Sequence, residues 1–227
     1  IDAHIAPIYR GQEKYLRGGL QFVGHPAHPP PEEGEPEIEA PRGYLQSLSN
    51  LGPQSRFLQG RMATSVVGSG PLGPELEAVV GQKAFDRFEL EIGLVLTLTP
   101  VLESSKRISV RIVGVIEPAD LESDYWQFAS LYVEPTLRQT YIPEELGVLG
   151  QALEELPEER TLPLFVTGDA MIEAMVQAFP GALVKPNWFI LLDRDRLKDW
   201  SVSEFGRRLR DFQDSLVESI PGSNITT

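Results

Sequence analysis

Alternation of apolar and polar residues predicts several strands in the middle of the chain. ELEAVVG (75–81), VLTLTP (95–100) and ISVRIVGVIEP (108–118) show the period of two that is typical of half-buried strands. The last two are joined by ESSKR (103–107), so we expect them to form a hairpin. Shorter strands are expected at 20–24, at 56–62 running into a loop, and, as buried strands, at 162–167 and 188–193.

Apolar residues at helical spacing predict helices between these strands. One is expected over 82–90 and another over 168–179. The inward residues of the second would be Met171, Ile172, Met175, Val176 and Phe179. A third helix, over 201–220, would have Ser203 as its N-cap and would stop at Pro221-Gly222. Its apolar face would be formed by Phe205, Leu209, Phe212, Leu216 and Ile220.

Three further segments are also interpreted as helical. The chain opens with Ile1, Ile5, Ile8 and Tyr9 at near-helical spacing, continued by Tyr15 and Leu16 and ended at Gly18-Gly19. In segment 42–51 one helical face would carry Tyr44, Leu45, Leu48 and Leu51. The acidic segment 144–160 is expected to be helical in part. Strands and helices together give an α+β class, with a strand and a helix closing the chain.

Composition narrows the classes of function. The chain has 227 residues, enough for one large domain or two small ones, and 20 Lys and Arg against 33 Asp and Glu give a net charge of −13. This balance argues against nucleic-acid binding and against lying on an anionic membrane surface. No apolar run approaches the ~18 residues of a membrane span. Because cysteine is absent, disulfides, Cys-zinc sites and thiol nucleophiles are excluded.

A proline-rich acidic segment separates the first strand from the rest of the chain. Residues 25–41 carry six prolines and five glutamates in HPAHPPPEEGEPEIEAP. The glutamates could form a cation site, but they lack the Asn and Gly residues of a calcium loop. We therefore interpret the segment as an exposed, charged, extended loop.

Gly68-Ser69-Gly70-Pro71-Leu72-Gly73 matches the GxGxxG pattern of dinucleotide sites. Pro71 removes one backbone donor from the loop, and the sequence that follows is strand-like rather than helical. We interpret the motif as a flexible hinge between two subdomains, and expect no cofactor.

Catalytic and metal-binding patterns are weak. The histidines are His4, His25 and His28, all near the start, and we expect them to be solvated rather than to bind metal. HExxH, GxSxG and SxxK motifs are absent. Asp193 and Asp195 alternate with arginines just after a strand, which favours self-neutralising surface charge over an acid–base pair. The chain is therefore predicted not to be an enzyme.

An aromatic patch is the one candidate contact site with named residues. Tyr125, Trp126 and Phe128 could stack a ligand or contact a partner, although packing in a core is the more common role of such residues. The loop Pro29–Pro41 is a second candidate for partner contact.

Short motifs between Gly43 and Pro118 carry a family resemblance. Gly60-Arg61 follows a short strand, the run from Glu77 to Phe88 leads to Gly93, and Val113-Gly114-Val115 lies in a later strand. This order resembles the extracytoplasmic domain of FtsX/MacB-type ABC-transporter permeases. In that family a GR pair precedes an E-x-x-V-x-x-x-A-A-x-x-x-x-L-x-x-G-D-x-L-x-L block and a strand ending in V-x-G-I/V.

The resemblance extends over most of 43–222, because the last strand and helix also fit the family. Leu94 stands where the family usually has Asp, so we expect a different turn there. The implied fold is a porter-like α/β subdomain formed by both chain ends, 1–72 and 181–227, with an inserted β-rich, Sabre-like subdomain over 73–180.

The resemblance also implies a function without chemistry of its own. The chain would lie on the extracytoplasmic side of the cell membrane between two transmembrane helices of the permease, which would account for its start at Ile1. A cytoplasmic ATPase would move those helices, and the domain would relay the motion to a substrate, lipoprotein, peptide or cell-wall enzyme. The permease would be dimeric. The alternative is a free-standing secreted ligand-binding protein or hydrolase that shares only local β–α character.

Overall fold

The computed structural model describes residues 4–19, 21–24, 41–100, 107–126, 137–138 and 159–219. Strands and helices are mixed, which confirms the α+β class. The strands are β1 (Tyr9–Arg17), β2 (Gln21–Gly24), β3 (Arg42–Leu48), β4 (Ser55–Gly60), β5 (Gly68–Gly70), β6 (Gly73–Gly81), β7 (Val95–Pro100), β8 (Ile108–Pro118), β9 (Leu137–Arg138), β10 (Glu159–Phe165) and β11 (Lys185–Leu192). The helices are a 3-10 turn (Ala6–Ile8), α1 (Leu51–Gln54), α2 (Gln82–Arg87), α3 (Gly168–Ala178), α4 (Arg194–Leu197) and α5 (Val202–Ser219).

The chain divides into two compact units. Unit 1 consists of Ile1–Lys14 and Trp188–Thr227, and unit 2 is Tyr15–Asn187. Both boundaries fall inside strands, the first in β1 and the second in β11. The subdomain limits implied by the family resemblance, after 72 and after 180, differ from these boundaries and stay predictions.

Six strands of unit 2 pair in a closed ring. β3 pairs with β2, β2 with β7, β7 with β8, β8 with β6, β6 with β10, and β10 returns to β3. The β3–β10 and β6–β8 pairs are parallel and the other four are antiparallel. Closing the ring protects these strands from the unpaired edges of an open sheet.

Two strands of the ring, β6 and β8, are buried along most of their length. In β6 and β8 almost every side chain is buried or half-buried, as expected for paired parallel strands inside a sheet. α3 packs against β3 and β6. The main core combines Leu76, Ala78, Val80, Leu96, Leu98, Ile108, Val110, Ile112, Leu162 and Leu164 with the buried face of α3.

Several predicted elements are confirmed. The strands expected at 75–81, 95–100 and 108–118 are β6, β7 and β8, and β7 and β8 pair antiparallel as the predicted hairpin. The strands expected at 20–24, 56–62 and 162–167 correspond to β2, β4 and β10, and the helix expected at 82–90 to α2.

Two helix predictions are wrong. The opening segment forms the 3-10 turn and then β1, and segment 42–48 is β3. β1 pairs with β3 through Tyr15 and Leu48, so each strand supplies the other's backbone partners. β3 is also covered on both faces, with consecutive buried residues Tyr44, Leu45 and Gln46, and this removes the period of two that would have identified it.

Two predicted buried faces and one predicted N-cap need correction. On α3, Ile172 and Val176 are exposed, and the alanines Ala170, Ala174 and Ala178 are buried beside Met171 and Met175, because small side chains allow the helix to lie close to the sheet. The strand predicted as buried at 188–193 belongs to β11, whose side chains are exposed or half-buried. The N-cap of α5 is Ser201, whose Oγ accepts from the Glu204 N–H at 3.1 Å, rather than Ser203.

In unit 1 the two chain-end segments are joined by backbone carbonyls of residues 4–8. The Asp193 N–H donates to the Ile8 carbonyl at 2.7 Å, and Arg196 donates to the Pro7 carbonyl at 3.2 Å. Arg208 reaches the His4 carbonyl at 3.4 Å while its guanidinium lies 4.4 Å from the centre of the Trp200 ring. The amphipathic α5 buries Phe212.

Other expectations lie outside the described residues: the loop at 25–40, most of the partly helical segment 144–160, and the stop at Pro221-Gly222. Within the described ranges, none of the helices has both the length and the apolar character needed to cross a bilayer.

A substitution at Gly43 tests the closure of the ring, because this residue pairs with Gln21 of β2 and with Leu162 of β10. A Cβ at this position would lie 2.7 Å from Val23 Cγ2 and 2.9 Å from the Leu162 carbonyl oxygen. We expect Gly43→Ala to lower the free energy of unfolding by about 1–3 kcal/mol, through overpacking. Urea unfolding followed by tryptophan fluorescence measures it. Gly11→Ala in β1, where a Cβ would meet nothing within 4 Å, is the control. Equal stability of the two variants would contradict this packing.

Candidate functional site

Residues of the family-like motifs meet at one place in unit 2. β4 ends at Gly60 and pairs antiparallel with β8, where Gly60 lies opposite Gly114. β6, which contains Glu77, pairs with the other edge of β8. The chain that leaves β4 therefore passes close to β6 and β8, and Arg61 is its first residue.

Glycine is required on both sides of this approach. Gly60 has a φ of 69°, in the left-handed region, and a Cβ there would overlap the Val113 carbonyl. A Cβ on Gly114 would overlap the Arg61 carbonyl. The Arg61 N–H donates to the Val113 carbonyl at 3.0 Å, which fixes the backbone at the end of β4.

Arg61 then forms a two-pronged ion pair with Glu77. Its Nη1 donates to Oε2 at 2.7 Å and its Nη2 to Oε1 at 2.5 Å. The Thr64 N–H and Oγ1 also donate to Oε2, at 3.0 and 2.9 Å. We call Arg61, Thr64 and Glu77 the clamp, because together they hold the loop after β4 against β6. Bidentate pairing of this kind adds geometric specificity to the ionic attraction.

These contacts perturb the acidity of Glu77. The Arg61 guanidinium, with help from the two Thr64 donors, lowers the pKa of Glu77 to about 2, although partial burial opposes the shift. The carboxylate reciprocally raises the pKa of Arg61. Glu77 is therefore ionised at neutral pH, and its pKa is far from the value that suits a general acid or base.

A second ion pair lies two residues earlier on β6. Arg111 of β8 donates through Nε and Nη2 to Glu75 Oε1 at 3.0 and 2.7 Å, and its Nη1 reaches the Gly93 carbonyl at 3.3 Å. Glu75 and Glu77 border a cleft of about 170 Å³ whose lining residues are Thr64, Val66, Gly68, Glu75, Leu76, Glu77 and Arg111. Both carboxylates of this cleft are paired with guanidinium groups. The arrangement therefore suits holding strands together better than it suits transferring protons.

Two residues of the aromatic patch lie in the described part of the chain, and neither of them is exposed. Tyr125 and Trp126 are buried, and their rings meet edge to face with centroids 5.2 Å apart. The Tyr125 hydroxyl donates to the Ser49 carbonyl at 2.9 Å, and the Trp126 indole N–H donates to the Gln54 carbonyl. Both side chains are packed in the interior, which was the alternative to ligand or partner contact. Phe128 lies outside the described residues.

The GxGxxG segment forms a hairpin inside unit 2, and its interpretation as a hinge between the two subdomains stays a prediction. Gly68 pairs with Glu75 and Gly70 with Gly73, and the motif leads directly into β6. Gly73, at a φ of 138°, makes this turn possible. The strand-like character predicted for the residues that follow is confirmed.

Asp193 and Asp195 have structural partners. Asp193 caps α4 by accepting from the Asp195 and Arg196 N–H groups at 3.0 and 3.2 Å, and Lys198 pairs with Asp195 at 2.6 Å. His4 Nδ1 lies 3.9 Å from Asp211 Oδ2, and the other two histidines lie outside the described residues. In the part of the chain that the structure describes, no group of three His, Asp or Glu residues is arranged to hold a metal ion.

The clamp is the feature that residue-by-residue analysis missed. Gly60-Arg61 and Glu77 were noticed as parts of a motif, but nothing in their spacing indicates that they touch. The available signal was an arginine directly after a strand-ending glycine, with a glutamate inside the next long strand. Thr64 carries no comparable signal.

Comparison with known proteins gives no independent identification, since no protein-family model and no curated protein sequence matches the chain.

The low pKa of Glu77 makes the clamp sensitive to acid. Because the folded-state pKa lies near 2, below the ordinary 4.5, the ion pair stabilises the fold fully above about pH 4.5 and loses this contribution as the pH falls toward 2. We expect Glu77→Gln to lower Tm by a few degrees at pH 7 and to leave Tm less dependent on pH in this window. Thermal unfolding between pH 7 and 2.5 measures both effects.

The control is Glu173→Gln, an exposed carboxylate on α3 whose contact is with Gln177 in the same helix. It should keep the wild-type pH dependence. Parallel Tm–pH curves for the wild type and the Glu77 variant would contradict the role of the clamp.

Proposed function

We propose that the chain is the non-enzymatic extracytoplasmic domain of an FtsX/MacB-type ABC-transporter permease. In this proposal a cytoplasmic ATPase moves the permease's transmembrane helices, and the domain relays that motion to a substrate or to a partner outside the membrane. The observation that carries the proposal is the convergence of Gly60-Arg61, Glu77 and Gly114, residues of separate motifs in the resemblance, into one packed arrangement.

The chain segments that form unit 1 support a domain attached to a membrane by both ends. Its two segments come from the start and the end of the chain. They are joined by hydrogen bonds from Asp193, Arg196 and Arg208 to the carbonyls of residues 4–8. Two helices leading to these segments would therefore act on one compact unit rather than on two independent arms.

Strand connections support the transmission of motion. The chain passes from unit 1 to unit 2 inside β1 and returns inside β11, rather than through flexible loops. A strand is already extended at roughly 3.3 Å per residue and cannot lengthen much under tension. Displacement of one end of such a strand is therefore passed along it.

The closed ring and the clamp supply a stiff body to receive the motion. Every strand of the ring has partners on both edges, and the clamp adds side-chain bonds between the end of β4 and β6. Because Glu77 is ionised and paired with Arg61 and Thr64, a mechanical role accounts for the clamp better than proton transfer does.

The partners follow from the same proposal. They are the permease's own transmembrane helices, the cytoplasmic ATPase, a second permease copy and a lipoprotein, peptide or cell-wall enzyme. The net charge of −13 would keep the domain away from anionic headgroups while it is tethered beside them.

The test is to express the complete reading frame with an affinity tag, fractionate the cells and identify what co-purifies. We expect the protein in the membrane fraction together with an ABC-type ATPase. The Glu77→Gln variant should still reach the membrane and bind the ATPase, but it should lose most of the cellular phenotype of the wild type. Recovery of the protein as a free secreted species without an ATPase would overturn the proposal and favour a secreted binding protein or hydrolase.

A further inference from the structure

Met62, in the loop after β4, is the most accessible methionine of the chain. The sequence has three methionines, and all of them lie in the described ranges. Met171 and Met175 are buried in the main core beneath α3. Met62 is half-buried and directly follows Arg61 of the clamp. A small oxidant in solution therefore reaches the sulfur of Met62 before it reaches the other two.

The backbone of Met62 is bonded to the clamp. Arg61 Nη1 donates to the Met62 carbonyl at 2.9 Å and to Glu77 Oε2 at 2.7 Å. One guanidinium nitrogen thus holds both the backbone of the loop and the carboxylate of β6. A shift of the backbone at Met62 moves an acceptor of the guanidinium that pairs with Glu77.

The side chain of Met62 lies against the backbone of α1. Its Cγ and Sδ atoms are each 3.9 Å from the position that a Cβ on Gly52 would take. The residues beside this contact, Leu51 and Ala63, are buried. A thioether is apolar and suits such a contact, whereas a methionine sulfoxide is polar and disrupts apolar packing. Oxidation of Met62 therefore acts on the contact that holds the loop against α1.

We propose that Met62 is a site of reversible oxidation that regulates the clamp, with a hydroperoxide as the oxidant. The sulfur attacks one peroxide oxygen, the O–O bond breaks, and the sulfur keeps that oxygen as a sulfoxide. The sulfur loses two electrons, and hydrogen peroxide is reduced to water. The polar sulfoxide moves toward solvent, the loop leaves α1, and the Arg61–Glu77 ion pair weakens.

Reduction reverses the change. A thiol-dependent sulfoxide reductase removes the oxygen as water while two thiols become a disulfide, and the thioether returns to α1. The proposal rests on the geometry of the clamp and does not depend on the proposed membrane function.

The first test maps the modification. The folded chain is treated with limiting hydrogen peroxide, the reaction is stopped with catalase, and its peptides are analysed by mass spectrometry. We expect one added oxygen on Met62 while Met171 and Met175 are unmodified. Oxidation of either buried methionine at the rate of Met62 would overturn the proposal.

The second test measures the effect on the clamp by thermal unfolding. We expect the oxidised wild type to have a Tm a few degrees lower at pH 7. It should also lose most of the pH dependence between pH 4.5 and 2.5 that the Glu77 carboxylate confers, as Glu77→Gln does. Treatment with a methionine sulfoxide reductase and dithiothreitol should restore the original curve.

Met62→Leu is the matched control, because leucine is apolar, has a similar volume and has no sulfur to oxidise. Its Tm and its pH dependence should be the same before and after peroxide, and circular dichroism verifies that it folds. An unchanged Tm after complete oxidation of Met62, or an equal loss of Tm in Met62→Leu, would contradict the proposal. A lower Tm that keeps the wild-type pH dependence would also contradict it, because the clamp would then be intact.

Discussion

The arrangement of unit 2 depends on the close approach of β4 to β8 at Gly60 and Gly114. β8 pairs with β4 and β7 on one edge and with β6 on the other, so it joins three strands of unit 2. Neither glycine can carry a side chain without displacing a carbonyl of the facing segment. That approach delivers Arg61 to Glu77, and the ion pair then fixes the loop that follows β4.

The carboxylate of the clamp is fully engaged in hydrogen bonds and ion pairing. A carboxylate with a pKa near 2, held by an arginine and by both donors of Thr64, keeps a constant charge across the physiological range. Such a group holds the loop after β4 in a fixed position against β6.

The sequence predicts the elements that are encoded by the spacing of their own residues. It does not predict the elements that depend on partners far away in the chain. β6, β7, β8 and α3 follow from the spacing of their own residues. β3 does not, because it is covered on both faces and pairs in parallel with β10, which comes much later in the chain. The clamp could not be predicted for a similar reason. Arg61 and Glu77 are 16 positions apart, and they meet because β4 and β6 both pair with β8. The exposure of Ile172 and Val176 follows from the alanines that bring α3 to the sheet, a distinction that periodicity alone does not make.

We propose that ATP-driven motion reaches this chain through unit 1. Hydrogen exchange of the complete membrane-embedded protein, with and without nucleotide bound to its ATPase, tests it most directly. The account predicts a nucleotide-dependent change in amide protection in residues 4–14 and 188–219, with protection of β6 and β8 unchanged. Identical exchange of the chain-end segments in both states would contradict it.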